Sequence, residues 1–277
     1  MKRFTLGLCA LLVTICCGGV DAAPNDGGTT ETGSTEATAT TEGAATATGT
    51  ATEASATMGA ATKKEPMAPA RASLKGVVKF TGEAPERKVI DMGAEASCHD
   101  KGVLDETVIV NDGGLANVVV FISKGLAKSD KSEGKGKVEL RQKGCTYIPH
   151  VLALQEGQSI EIHNDDGVVH NVHSYSKRNP SFNQAQPSGA PAIVKEMGRK
   201  DKMFPVKCDM HAWMSCQVVV FDHKFFTVSG AKGTFELGDL PAGKYTISAQ
   251  HESLGTQTAE VTVGDSGMQE LNFTFKK

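Results

Sequence analysis

"FPVKCDMHAWM", residues 204–214, carries a cysteine, a histidine and a methionine spaced three residues apart, beside the only tryptophan of the chain. Side chains alternate along an extended segment, so Phe204, Val206 and Cys208 share one face and the thiol points inward with two apolar neighbours. Beyond a short turn, Met214, Cys216, Val218 and Val220 share one face of the next apolar run, "MSCQVVVF". His211 falls on the turn and Met214 at its end. A thiol, an imidazole and a thioether therefore gather where two apolar strands meet. A fourth ligand has to come from elsewhere, and "NDDGVVHNVH", residues 164–173, offers His170, 38 residues before Cys208.

Two imidazoles, one thiolate and a weak thioether suit copper, because one geometry then serves both Cu(I) and Cu(II). Zinc takes four strong ligands and seldom methionine, so the methionine argues for one copper ion rather than a structural zinc. His173 competes with His170, but three residues along a strand reverse the side-chain face, so both cannot reach one metal. His163 alternates with Ile160 and Ile162 and is expected to point away from the core. His150, in "CTYIPHV", reads as a hydrogen-bonding structural histidine, with a second metal role as the alternative. His223 and His251 are expected at the surface.

The frame around this site is a series of short β-rich runs broken by Gly, Pro, Asn and Asp: "LKGVVKFTG", "ETVIVND", "NVVVFIS", "YIPHVLALQEGQSIEIHND", "QVVVFD" and "GTFELGDLPAGKYTISAQ". No long run has helical periodicity, which predicts an all-β chain of Greek-key sandwich type. The length beyond residue 72 exceeds the roughly 100 residues of one sandwich. A copper domain over 72–223 and a second small β module over 224–277 are therefore expected.

The N-terminal part is different. Lys2 and Arg3 precede the apolar "FTLGLCALLVTICC" and then small residues, the order of a secretory signal, with cleavage expected after Ala22. The apolar run is short for a membrane span. Lipid attachment at Cys16 or Cys17 is the alternative, although Ile15 is larger than such signals usually carry before the cysteine. Residues 23–71 are rich in Thr, Ala, Gly, Glu and Ser, with five acids and no Lys or Arg before Lys63. Such a stretch cannot bury enough apolar surface to offset chain entropy, and reads as a flexible tether. Of the net charge of −3, the leader carries +1 and residues 24–62 carry −5, which leaves the remainder at +1. Nothing in that balance suggests nucleic acid, and "KGLAKSDKSEGKGK", residues 124–137, reads as a solvated loop.

Of seven cysteines, Cys9, Cys16 and Cys17 lie in the leader and Cys208 in the ligand stretch. In an oxidising compartment Cys98 and Cys145 are natural disulfide partners, which leaves Cys216 as a buried thiol with a weaker claim to a ligand role.

"HNVH" followed at this distance by "CDMHAWM" resembles the blue-copper cupredoxins, and the Cys-x2-His-x2-Met spacing is similar to the short ligand loop of the amicyanin type. The resemblance implies His170 and His211 as imidazole ligands, Cys208 as thiolate and Met214 as axial thioether. It further implies that Asn171 ties the two ligand-bearing loops together. It is close over 151–221 and looser over 73–145. "GTFELGDLPAGKYTISAQHESLG", residues 233–255, resembles the carboxypeptidase regulatory-like, transthyretin-like β modules of secreted proteins. The combination is similar to secreted cupredoxin-like proteins labelled as methylamine utilization proteins.

The function expected is that of a periplasmic or extracellular single-electron carrier, monomeric and not an enzyme, with the electron leaving through the edge of His211. Met210, Ala212 and Trp213 would offer an apolar patch to a redox partner such as a c-type cytochrome or a dehydrogenase. The alternatives are a copper module for storage, sensing or delivery, and a non-redox cell-surface interaction module.

Overall fold

The computed structural model describes residues 71–93, 95–98 and 102–277. The expected leader, and all but the last residue of the expected tether, lie outside the described residues. The chain there is all β. Its strands are β1 (Ala72–Thr81), β2 (Val110–Asn111), β3 (Gly114–Leu115), β4 (Val119–Lys124), β5 (Lys137–Lys143), β6 (Thr146–Ile148), β7 (Val151–Gln155), β8 (Ser159–Asn164), β9 (His170–Ser174) and β10 (Asn183–Gln186). They continue with β11 (Ile193–Glu196), β12 (Asp201–Lys207), β13 (Ser215–Phe221), β14 (Phe226–Val228), β15 (Thr234–Leu240), β16 (Gly243–His251), β17 (Gly255–Val263), β18 (Gly267–Glu270) and β19 (Phe273–Lys276). No helix among the described residues is long and apolar enough to cross a membrane.

The 204–214 stretch belongs to a sandwich whose sheets run β10-β9-β12-β13-β7 and β11-β8-β5-β6. β13 lies parallel to β7 and β5 parallel to β8, while the other neighbours are antiparallel. Alternate residues of both sheets meet in one core: Leu140, Tyr147, Leu154, Ile160 and Ile162 with Val172, Phe204, Val206, Val218 and Val220. Cys208, Met214 and Cys216 are part of it. The inward face expected for Cys208 is thus the one it takes.

A second sandwich is built from the order β15-β1-β3-β2, with β18 and β19 also on β1, and from the sheet β14-β4-β16-β17. Here the structure departs from the division expected near residue 223. β1 is antiparallel to β15 along one edge and parallel to β18 and β19 along the other, so residues 72–81 are hydrogen-bonded to the C-terminal strands. β4 likewise lies between β14 and β16. Gly76 sits in the middle of β1 because an added Cβ would fall 1.7 Å from the Leu271 carbonyl oxygen. Leu74, Val78 and Phe80 share a core with Phe235, Ile247 and Phe275.

The reason lies in the uninterrupted apolar run Val118–Ile122, which is covered on both faces. Val120 and Ile122 point into the second core. Val119 and Phe121 point the other way, into a third apolar layer with Val151, Val219 and Phe221. That layer joins the two sandwiches. Between β1 and β2 the chain also crosses to the first core, where Ile90, Met92, Cys98 and Val103 pack.

His223 and His251 differ from the expectation of surface positions: they are 3% and 2% exposed. His223 stacks near Phe221 and Phe225, and its Nδ1 accepts the Phe225 N–H at 3.1 Å. His251 Nδ1 accepts the Ser253 N–H at the hairpin end of β16. Burial pushes the His223 imidazole down to about 4. The unfolded chain, with a histidine near 6.5, therefore takes up a proton that the folded chain refuses as pH falls from 6.5 to 4. Stability should drop by about 3 kcal/mol through that window and be unaffected by this group above it. Urea unfolding at pH 7 and pH 4 checks this, and His223→Asn, which cannot titrate, should narrow the difference by about that amount.

Candidate metal centre

Three elements bring the site together. β12 ends one residue before Cys208 and β9 begins at His170, and the two strands are neighbours through Val206 opposite Ser174 and Lys207 opposite His173. The 208–214 turn closes on itself, since the Cys208 N–H donates to the Met214 carbonyl (3.1 Å) and the Met214 N–H to the His211 carbonyl (2.9 Å). A β-strand end, its neighbour's start and a self-bonded turn place the donors without long loops.

The donor atoms of His170, Cys208 and His211 all lie within 4.8 Å of one another, and all three residues are buried. The two Nδ1 atoms are 2.9 Å apart, and Cys208 Sγ is 3.7 Å from His211 Nδ1. Met214 is 1% exposed and ends the same turn. The rings of His170 and His211 meet edge to face. Facing imidazole nitrogens beside a thiol, in an apolar core, fit a soft or borderline ion.

Electrostatics are consistent with a metal-ready thiol. Burial would raise the Cys208 thiol, but His170 and the N–H groups of Asn171, His211 and Met210 outweigh it and hold the thiol below its usual range. Burial works against a charged His170, yet Cys208 and Asp166 prevail and raise it. His211 is lowered by burial and by its neighbour His170. Cys216, fully buried on β13, is pushed up by burial and stays a thiol.

Around the donors, Asn171 Oδ1 accepts the N–H groups of Asp209 (2.6 Å) and Met210 (3.3 Å), which fastens β9 to the 208–214 turn. The Tyr147 hydroxyl donates to the Asn171 carbonyl at 2.7 Å. His173 lies outside the cluster, with its Nδ1 at 3.0 Å from Asp209 Oδ2 and its ring stacked on Tyr175. His150 pairs with Glu252, which also accepts from Gln217. His163 has a buried Nε2 without a hydrogen-bond partner. Cys98 and Cys145 form a disulfide. Met210 is 57% exposed and Ala212 is exposed, whereas Trp213 is half-buried with its indole N–H on the Cys145 carbonyl. His211 itself is 6% exposed.

Two residues at the site had not been singled out from the sequence. Asp166 Oδ2 lies 2.8 Å from His170 Nε2, and Tyr147 supports Asn171. An acid four residues before a candidate ligand histidine, across the Gly167 turn, was the signal for the first; nothing local marked the second.

No family model matches this sequence, and no curated protein does. Solved structures similar to part of the chain include cupredoxins. An amicyanin variant with Cu(I) is 17% identical and matches over 36% of this chain and 97% of its own, with a TM-score of 0.27. A purple cupredoxin from Nitrosopumilus maritimus is 19% identical over 30% of this chain and 97% of its own, TM-score 0.26. A copper-containing nitrite reductase from Thermus scotoductus is 16% identical over 37% of this chain, TM-score 0.29, and the match spans only 26% of the reductase.

Proposed function

We propose that this chain is a blue-copper protein that carries single electrons, with His170, Cys208, His211 and Met214 as the ligands of one copper ion. The observation that carries the reading is the convergence of two imidazole Nδ1 atoms and a thiol within 4.8 Å in a buried core. When bound, copper would supply a one-electron couple between Cu(I) and Cu(II). The residues do the rest. The Cys208 thiolate supplies the anionic donor, the Asn171 clasp fixes the turn, and the surrounding core excludes water. The exposed Met210 and Ala212 flank His211 in the turn, and there a redox partner such as a c-type cytochrome or a dehydrogenase would dock weakly. The periplasm or the cell exterior is the proposed location, in keeping with the disulfide.

Titration of the metal-free protein with Cu(II) should give one equivalent of an intensely coloured complex that cycles reversibly at an electrode. A colourless complex would overturn the copper reading; a coloured one that releases copper to an acceptor but does not cycle would make the protein a copper store or donor instead.

A further inference from the structure

The two-residue turn Gly144–Cys145, between β5 and β6, touches the metal centre from two sides. Both residues have positive φ, 61° and 54°, as two-residue hairpin turns require. For a cysteine that backbone region is costly, so partners must hold it there. Three do. The Gly144 and Cys145 N–H groups donate to Asp166 Oδ1 (2.7 Å) and Oδ2 (2.9 Å). The Cys145 carbonyl accepts the Trp213 indole N–H at 3.1 Å. The Cys145 sulfur is bonded to Cys98.

Each of the first two partners goes on to an imidazole. Asp166 Oδ2 lies 2.8 Å from His170 Nε2, and the Trp213 ring centre lies 5.1 Å from that of His211. A carboxylate only accepts hydrogen bonds, so the His170 proton must sit on Nε2. That leaves the Nδ1 lone pair facing His211 Nδ1, 2.9 Å away, and the Cys208 side of the cluster. A neutral imidazole without this partner would divide between two tautomers, one of which blocks the ligand atom with a proton.

We propose that Asp166, seated on the disulfide-braced Gly144–Cys145 turn, is a positioning residue that fixes the Nε2–H tautomer and the ring orientation of His170 for metal binding. The inference rests on the reading of His170, Cys208 and His211 as metal ligands, and two separate readouts divide the two. The first is the imidazole tautomer of His170, observed by nitrogen–proton correlation spectra of the metal-free full chain at pH 9. It is read in the Cys208→Ser background, where no thiolate shares the proton. His170 should be Nε2–H there, remain largely so with Asp166→Asn, whose amide oxygen still accepts, and become mixed with Asp166→Ala.

The second readout is copper affinity in the Cys208-containing chain, by competition with a Cu(I) chelator. Asp166→Ala should lose about 10- to 100-fold, as outer-sphere partners of metal-bound histidines do. Asp166→Asn should lose less, and Cys98→Ser, which frees the turn, should fall between. An Asp166→Ala protein with an unchanged tautomer and unchanged affinity would overturn the proposal and reduce Asp166 to a turn cap. A changed tautomer in a protein that binds no copper at all would sink the copper reading while leaving the positioning of His170 intact.

Discussion

Replacing Cys208 by serine is expected to abolish the intense visible absorption of the copper-loaded protein and to weaken copper binding by far more than the roughly 100-fold limit typical of outer-sphere changes. The absorption would arise from charge passing between the Cys208 sulfur and Cu(II), so it would need sulfur at this one position. The fold should tolerate the change. Serine is close to cysteine in shape, and the Asn171 N–H that now points at Sγ (3.5 Å) can donate to a hydroxyl. Metal-free Cys208→Ser should therefore keep the circular dichroism of the parent and lie within about 1.5 kcal/mol of its stability. A variant that still turned intensely coloured with Cu(II) would move the thiolate role to Cys216, the other free cysteine among the described residues.

The second large effect concerns how the chain is divided. A fragment of residues 224–277 should fail to fold, although it contains six of the strands of the second sandwich, β14 to β19. It lacks β1, which lies between β15 on one side and β18 and β19 on the other, and β4, which separates β14 from β16. Without β1 the fragment loses Leu74, Val78 and Phe80, all buried in that core. At about 1.5–3 kcal/mol for each buried side chain, that loss is comparable with the whole stability of a domain, about 5–15 kcal/mol. Proton spectra should show narrow dispersion for 224–277 and a fully β spectrum for 72–277. A well-dispersed spectrum from the short fragment would restore the boundary near residue 223.

These two cases mark where the sequence was readable. Strand period and turn residues display which segments are extended and which face is apolar, so the inward Cys208 and the all-β class were legible. The meeting of His170, Cys208 and His211 was legible because residue type and spacing restrict which donors can come together. Pairing was not. "LKGVVKF" looks the same whether its neighbour is the next strand or one nearly 200 residues away, since register depends on faces that only the assembled sheets define. The burial of His223 was hidden for a related reason: its contacts with the rings of Phe221 and Phe225 exist only in three dimensions. His170 stands only four residues beyond Asp166, but the turn at 144–145 that seats the carboxylate is more than 20 residues back in the chain and meets it only once the strands have paired.

The chain passes between the two sandwiches four times: after β1 toward Ile90 and Met92, back after Val103 to β2, out again after β4 to β5, and home after β13 to β14. A hinge needs one linker that can bend alone, and here four segments would have to bend together while the Val119, Val151, Val219 and Phe221 layer came apart. The donor cluster therefore cannot swing on its sister sandwich as a bead on a string would. The orientation of the His170, Cys208 and His211 cluster is thus set by both sandwiches at once.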